Sequence, residues 1–271
     1  VIPVKDDDTE LERCLRALAS QTRAADEIIV VDNGSLDASA AVARANGARV
    51  VSCRVPGIPA ASACGYDAAT GDVILRLDAD CVPESSWIAT MACAFDARPD
   101  VSALVGGAHF IDGPRILRLP LAVLYLGAYA VVATPTLGHL PLFGSNMGFR
   151  RSAWRGIRAG VHRSDPELHD DLDLAFHLGR RHRIRYLPRA RMGISMRPFA
   201  SGRSFARRVR RGFRTVVIHW PQDFPPLRWV RPAVERMRPP VSPAGRAARR
   251  TRRRVRAGGE RATGPSARFP E

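Results

Sequence analysis

Two carboxylates separated by one small residue, Asp78-Ala79-Asp80, end the apolar run Val73-Ile74-Leu75-Arg76-Leu77 and are followed by Cys81-Val82-Pro83. Alternate residues of an extended segment point the same way, so both carboxylates can address one ion, and Ala79 is too small to intrude. Oxygen ligands of this kind suit magnesium or manganese, which take one or two protein carboxylates and complete their shell with substrate phosphates and water. The plainer reading is a solvated Asp-rich turn after a strand. A second acidic group, His169-Asp170-Asp171-Leu172-Asp173-Leu174, opens an amphipathic segment. Acids at a helix start also complement its dipole and cap free amides, which is enough to account for Asp170 or Asp173 alone.

The elements that must carry these acids are legible around them. Four of the five residues Val73 to Leu77 are aliphatic, and Gly71 and Asp72 punctuate the start, as in a buried central strand of a parallel sheet. Ligands in open α/β sheets bind beyond the carboxyl ends of such strands, which is where Asp78 and Asp80 stand. Upstream, residues 1–4 read as a strand with Lys5 to Asp8 as its loop. Thr9-Glu10-Leu11-Glu12 has the capping-box pattern, and the helix it opens should reach about Ser20, burying Leu11, Cys14, Leu15 and Leu18. Strands over 27–31 and 49–52 alternate with helices over 38–46, stopped by Gly47, and 60–70.

Such alternation predicts right-handed β-α-β units and a parallel sheet. No Gly-x-Gly-x-x-Gly follows the first strand and no Walker Gly-x-x-x-x-Gly-Lys occurs, so phosphates must be held by something else. A metal on Asp78 and Asp80 would do it. Downstream, a helix is expected over 84–95 and a strand over 101–108, with a Gly-punctuated loop and strand over 141–151. Between them Leu119 to Phe149 carries no charged side chain but is interrupted by Pro120, Gly127, Pro135 and His139. A spanning helix needs about 20 apolar residues, so the dense part, 121–133, is read as a buried or membrane-facing helix and not as a span.

The 271 residues carry a net charge of +16 that is unevenly placed: residues 1–196 hold 22 Lys+Arg against 22 Asp+Glu, and residues 197–271 hold 20 against 4. Basic excess confined to one end points to an acidic partner for that end, nucleic acid or an anionic membrane. Arg246 to Arg256 contains no aromatic residue, which argues against nucleic acid. Phe205, Val209, Phe213, Val216 and Val217 keep partial helical spacing through Arg pairs, the pattern of an amphipathic helix on an anionic bilayer. From about Val241 the composition predicts disorder. Five cysteines without paired close spacing indicate neither a disulfide framework nor a zinc site. With no charged-then-apolar leader, a cytoplasmic location, peripheral on the membrane face, is expected.

Taken in order, Val-Ile-Pro-Val at the first strand, Val31-Asp32-Asn33-Gly34-Ser35-x-Asp37, Leu77-Asp78-Ala79-Asp80, Gly144-Ser145-Asn146-Met147 with Arg150-Arg151, and Asp170-Asp171-x-Asp173-Leu174 resemble a family 2 glycosyltransferase of the GT-A fold. The resemblance covers roughly residues 1–220, with 1–108 as a nucleotide-sugar half, 109–220 as an acceptor half and 221–271 as a basic Pro/Arg-rich tail. It implies an inverting enzyme using a nucleotide-diphospho-sugar donor, a saccharide or lipid-linked acceptor and manganese or magnesium. By the same resemblance Pro3, Val4, Asp32, Asp78, Ala79 and Asp80 contact the nucleotide, Asp78 and Asp80 hold the metal, and Asp171 is general base on the acceptor hydroxyl. Lys5-Asp6-Asp7 replaces the family's usual Tyr-Asn-Glu and Ala63 its usual Asn, which leaves the nucleotide open. No Gln-x-x-Arg-Trp motif occurs; His219-Trp220 stands near its place, the His read as structural, and a non-processive enzyme is expected. A nucleotidyltransferase, the nearest alternative, would want a Gly-rich basic first loop that Lys5 alone does not supply.

Overall fold

In the computed structural model, strands and helices alternate through the first half of the chain as the apolar pattern requires. The structure describes residues 1–199, 201–220, 222–226 and 228–229. The chain divides into a unit of residues 1–228 and a second of residues 229–271. The tail expected to be basic and disordered lies almost wholly outside the described residues.

Strands β1 (Ile2–Val4), β2 (Ile29–Asp32) and β3 (Arg49–Ser52) pair in parallel with Val4 level with Asp32 and Asp32 level with Ser52. Helix α1 (Asp8–Ala19) buries Leu11, Cys14, Leu15 and Leu18, the face its spacing predicts. The capping box does not form. The helix begins two residues earlier, with Asp7 at the cap position and Thr9 already inside it, and Glu12 turns to Arg16 one turn on. Helix α2 (Ser39–Ala45) is followed by Gly47 at a φ of +75°, as its stop role requires. Helix α3 (Ile58–Ala68) presents Ala60, Ala61, Ala63 and Gly65 to the sheet. A Cβ on Gly65 would lie 2.3 Å from Val1 and 2.8 Å from Val31, so these small residues let the helix seat directly on the strands.

Strand β4 (Val73–Arg76) runs beside β1, with Val1 N donating to Leu75 O at 2.8 Å, and begins a second group of strands. After β5 (Val82–Pro83), α4 (Trp87–Asp96), β6 (Val101–Phe110), α5 (Arg115–Leu137) and β7 (Met147–Arg150), the chain forms α6 (Arg151–Ile157), α7 (Asp170–Leu178), β8 (Arg183–Ile194) and α8 (Gly202–Ile218). The second sheet has the order β4-β7-β6-β8-β5, in which β6 and β8 are parallel and the other three pairings antiparallel. The α/β class is as expected, but β4, read from its sequence as a central strand of a parallel sheet, pairs antiparallel with β7. Antiparallel β7 inserts next to β4 and carries the preceding Gly144 to Asn146 loop to the end of the acidic strand. Tyr66 meets Phe149 and Trp154 edge-on at 4.9 and 5.1 Å, closing the core between α3, β7 and α6.

Helix α5 is longer than the apolar pattern predicts, and Pro120 and Pro135 stand inside it without ending it. One side packs on the domain through Ala122, Ala133 and Leu137, and Tyr129 Oη donates to Leu142 O. The other side leaves Ile116, Leu119, Val123, Leu124, Val131 and Val132 exposed. By length and composition α5 could cross a membrane, and most of its apolar window is not buried by protein.

Candidate functional site

Asp78 leaves β4 with its two oxygens held apart. Oδ1 pairs with Arg76 at 2.9 Å and Oδ2 accepts from Ser145 Oγ at 2.5 Å. Asp80 faces Arg197, whose guanidinium lies 2.8 Å from Asp80 Oδ2 and 2.6 Å from Asp7 Oδ2. Burial, and then the charge of Asp78, raise the proton affinity of Asp80 above the ordinary carboxylate range, although Arg197 opposes this. A cation relieves an acid whose proton affinity is raised in this way, and Arg197 puts a positive charge there from the protein itself. With Cys81, these acids form a group whose ligand atoms lie within 4.8 Å of one another. Cys81 is buried and its thiol is pushed up, first by burial and then by both aspartates, so the hard oxygens of Asp78 and Asp80 are the ones that fit magnesium or manganese.

The loops after β1 and β2 are tied together beside this group. Asp6 adopts a φ of +50°, rare for a residue with a Cβ. It is held there by accepting from Leu36 N through Oδ1 and donating its own N–H to Ser35 Oγ. Asp32 Oδ1 accepts from Ser35 N, while Val4 O accepts from Asn33 N. Pro3 and Ala79 lie in the same segments, and Val4 and Ala79 are themselves buried, so any contact they make with a ligand is through backbone. Asn33 is a structural clamp: its side chain donates to Cys53 O and Val55 O and accepts from Gly57 N.

Arg76 connects the two acidic groups, and the sequence reading missed it. Almost wholly buried, it pairs with Asp78 on one side and with Asp170 Oδ2 at 3.2 Å on the other. Burial disfavours its charge, but Asp170 and Asp78 more than offset this. A lone Arg in an aliphatic strand was the available clue, since a buried cation requires a buried partner. Gly144 lies flat on its guanidinium: a Cβ there would be 1.7 Å from Arg76 Nη1. Arg76 is pinned by two carboxylates and cannot yield, so Gly144→Ala should lose at least about 1–3 kcal/mol of stability in urea unfolding. A variant as stable as the parent would show that the guanidinium is free to move.

At the start of α7, Asp170 and Asp171 have opposite electrostatics. Asp171 Oδ2 accepts from Gly144 N at 2.8 Å, and Oδ1 accepts from Leu172 N at 2.7 Å and lies 2.9 Å from His169 Nδ1. Burial pushes its proton affinity up, but His169, Arg76 and the Gly144 N–H outweigh it and hold the carboxyl far below the usual range. Asp170 accepts from Ser62 Oγ at 2.9 Å. Its proton affinity is raised by burial and then by Asp171 and Asp78, with Arg76 opposing. Neither acid is a simple helix cap, because the cap residue is His169 and it makes no side-chain capping bond. Asp171, Gly144, Ser145, Asp78, Arg76 and Asp170 thus form one connected network at the carboxyl end of β4. Asn146, next in the loop, is wholly buried and braces it, accepting from Trp87 Nε1 and donating to Gly107 O and Ala190 O, each at 2.8 Å. His219 is buried and stacked 4.0 Å from Phe176, in line with its structural reading.

Comparison with known proteins bears on this arrangement. A stretch of 96 residues is 32% identical to the glycosyltransferase AglE of Haloferax volcanii, and the match spans 32% of this chain and 32% of that protein. The crystal structure of S. aureus TarS superposes with a TM-score of 0.54 at 14% identity, over 73% of this chain and 36% of that one, a likeness of fold. Glucosyl-3-phosphoglycerate synthase from Mycobacterium tuberculosis, in complex with uridine diphosphate, has a TM-score of 0.43 at 23% identity, over 56% of each chain. The family model described as Glycosyl transferase family 2 matches residues 1–157, more than half of the 271 residues, and the chain belongs to that family.

Proposed function

We propose that the protein transfers a sugar from a nucleotide-diphospho-sugar to an acceptor hydroxyl or lipid phosphate, with inversion and non-processively. The observation that carries this reading is the network in which Arg76 and the Gly144-Ser145 turn join the acids after β4 to the acids of α7. Such a network supports a reading in which donor and acceptor chemistry lie side by side. Asp78 and Asp80 would hold a divalent ion, which, when bound, carries the charge growing on the departing diphosphate. Asp32 is suited to accept from base or ribose donors of the nucleotide. Asp171 takes the proton from the acceptor hydroxyl as the oxygen attacks the anomeric carbon. A single displacement inverts that carbon, and no second carboxyl acid is needed because a nucleoside diphosphate is already a good leaving group. The raised proton affinity of Asp170 favours a second reading, in which that acid is the base. A thermal-shift panel of UDP, GDP, dTDP and CDP, each with and without manganese, tests the proposal. One nucleotide should stabilise the protein in a metal-dependent way; no shift with any of them would refute donor binding.

Contact with the cytoplasmic face of an anionic membrane belongs to the same reading. Phe205, Val209, Phe213 and Val217 are exposed along α8. Its Arg208 donates to Tyr125 Oη of α5, and Phe199 meets Tyr125 edge-on and stacks on Phe205, so α5 and α8, each with an exposed apolar row, are neighbours. Contiguous exposed apolar surface with interspersed Arg is what an interfacial helix pair presents to anionic lipid. Replacing Leu124 and Phe213 by Asp should weaken binding to anionic phospholipid vesicles at least about tenfold, since each side chain is worth on the order of 1.5–3 kcal/mol when fully buried. Equal vesicle binding by the double variant would refute the contact.

A further inference from the structure

Away from the acidic network, His162, Asp173, His177 and His219 converge from three segments, with one ligand atom from each lying within 4.8 Å of all the others. Asp173 and His177 are one turn apart on α7, so they share a face. His162 comes from the loop before that helix, and His219 from the residue that ends α8. Asp173 Oδ1 is the hub, 2.7 Å from His162 Nδ1, 3.3 Å from His219 Nε2 and 3.6 Å from His177 Nε2. A tetrahedral zinc site with bonds near 2.0 Å has ligand atoms roughly 3.3 Å apart, so small movements would bring the four groups to it.

The second observation is that this cluster lacks something. His177 Nε2 and His219 Nε2 are buried with no hydrogen-bond partner, and only 11% and 2% of their side chains are exposed. His219 Nδ1 lies 2.8 Å from the carbonyl of Thr215, which can only accept, so Nδ1 carries the proton. Its Nε2 lone pair therefore faces the carboxylate of Asp173 across 3.3 Å, acceptor against acceptor. A metal ion between them removes that repulsion, as a shared proton would. The Thr215 carbonyl acts as the outer partner that fixes a ligating imidazole, and the His162 N–H does the same for Asp173 Oδ2 at 3.0 Å. His162 is about one-third exposed and gives an ion a way in.

We propose that His162, Asp173, His177 and His219 bind one zinc ion that fastens the end of α8 to α7. Three imidazoles and one carboxylate favour zinc over magnesium or manganese. With all four tetrahedral positions taken by protein, the site is structural, and it couples the helix bearing the exposed apolar row to the helix that begins with Asp170 and Asp171.

The test uses the full chain without a histidine tag. Elemental analysis after growth with zinc should find one zinc per chain, and chelation should lower the unfolding temperature. Cobalt(II) added to the chelated protein should give the intense visible bands of a tetrahedral centre, present in Asp80→Ala and lost in His177→Gln. His162→Gln, at the one-third-exposed position, repeats the test where the buried change impairs folding, with a loss of at least about a hundredfold in cobalt affinity. Absence of a tetrahedral spectrum, its survival in both His variants, or its loss in Asp80→Ala would overturn the proposal.

Discussion

Asp80→Ala should abolish manganese-dependent nucleotide binding and leave the protein folded. A sheet with no glycine-rich phosphate loop offers the diphosphate no backbone cradle, so its charge must be met by cations, and Asp80 is the acid best placed to hold one. Its proton affinity is raised in the folded protein, chiefly by burial and Asp78. A carboxyl whose folded pKa exceeds its unfolded value destabilises the fold once ionised. That penalty is absent below the unfolded pKa and complete above the folded one. At neutral pH, removal of Asp80 thus relieves a cost in the metal-free protein, and Arg197 keeps Asp7 as a partner. At about 100 times Kd a ligand adds about 2.7 kcal/mol, or roughly 5–10 °C for a domain of this size. That manganese-dependent shift should vanish in Asp80→Ala while the baseline melting temperature stays level or rises. An undiminished shift would remove Asp80 from the donor site.

The first strands were legible because a parallel strand buried on both faces reads as an aliphatic run and its helices carry a 3.6-residue stripe; Ile29–Asp32 shows it. The acids at the strand ends were legible for the same reason, since a run that stops in carboxylates marks where the sheet meets solvent. What pairs those acids was not. Arg76 reads as an interruption of a strand until α7 brings Asp170 to it from 94 residues away, while the loop before antiparallel β7 brings Ser145 to Asp78 from 67 residues away. Arg197 reaches Asp7 across 190 residues. Long-range pairing of this kind leaves no local periodicity. Local rules also lost where two of them competed: the Thr9 to Glu12 box gave way to a helix begun at Asp8, and Pro120 and Pro135 were absorbed into α5. Of the histidine cluster, the sequence offers only the one-turn spacing of Asp173 and His177; His162 and His219 are brought in by packing, far from the five cysteines, all of which lie between residues 14 and 93.

Asp171→Asn should lower turnover at least about a hundredfold, the lower bound of what a general base contributes, while nucleotide binding survives. Asn keeps an oxygen for the Gly144 N–H, so the loop that positions Ser145 and Asp78 stays in place. It cannot take a proton. Asp170→Asn weakens the bond to Arg76 and should act more through stability and donor affinity than through the chemical step. The two acids are also separable by pH. Asp171 is held far below the ordinary carboxylate range by His169, Arg76 and the Gly144 N–H against the effect of burial, whereas burial and its acidic neighbours raise Asp170. With Asp171 as base the rate stays flat into acid, because the carboxylate is still ionised there; with Asp170 as base the rate falls as pH drops through a raised value. A flat acid limb together with the loss in Asp171→Asn assigns the base to Asp171. A falling limb, with turnover lost in Asp170→Asn and retained in Asp171→Asn, moves the proton transfer one residue back, onto the acid that shares Arg76 with Asp78.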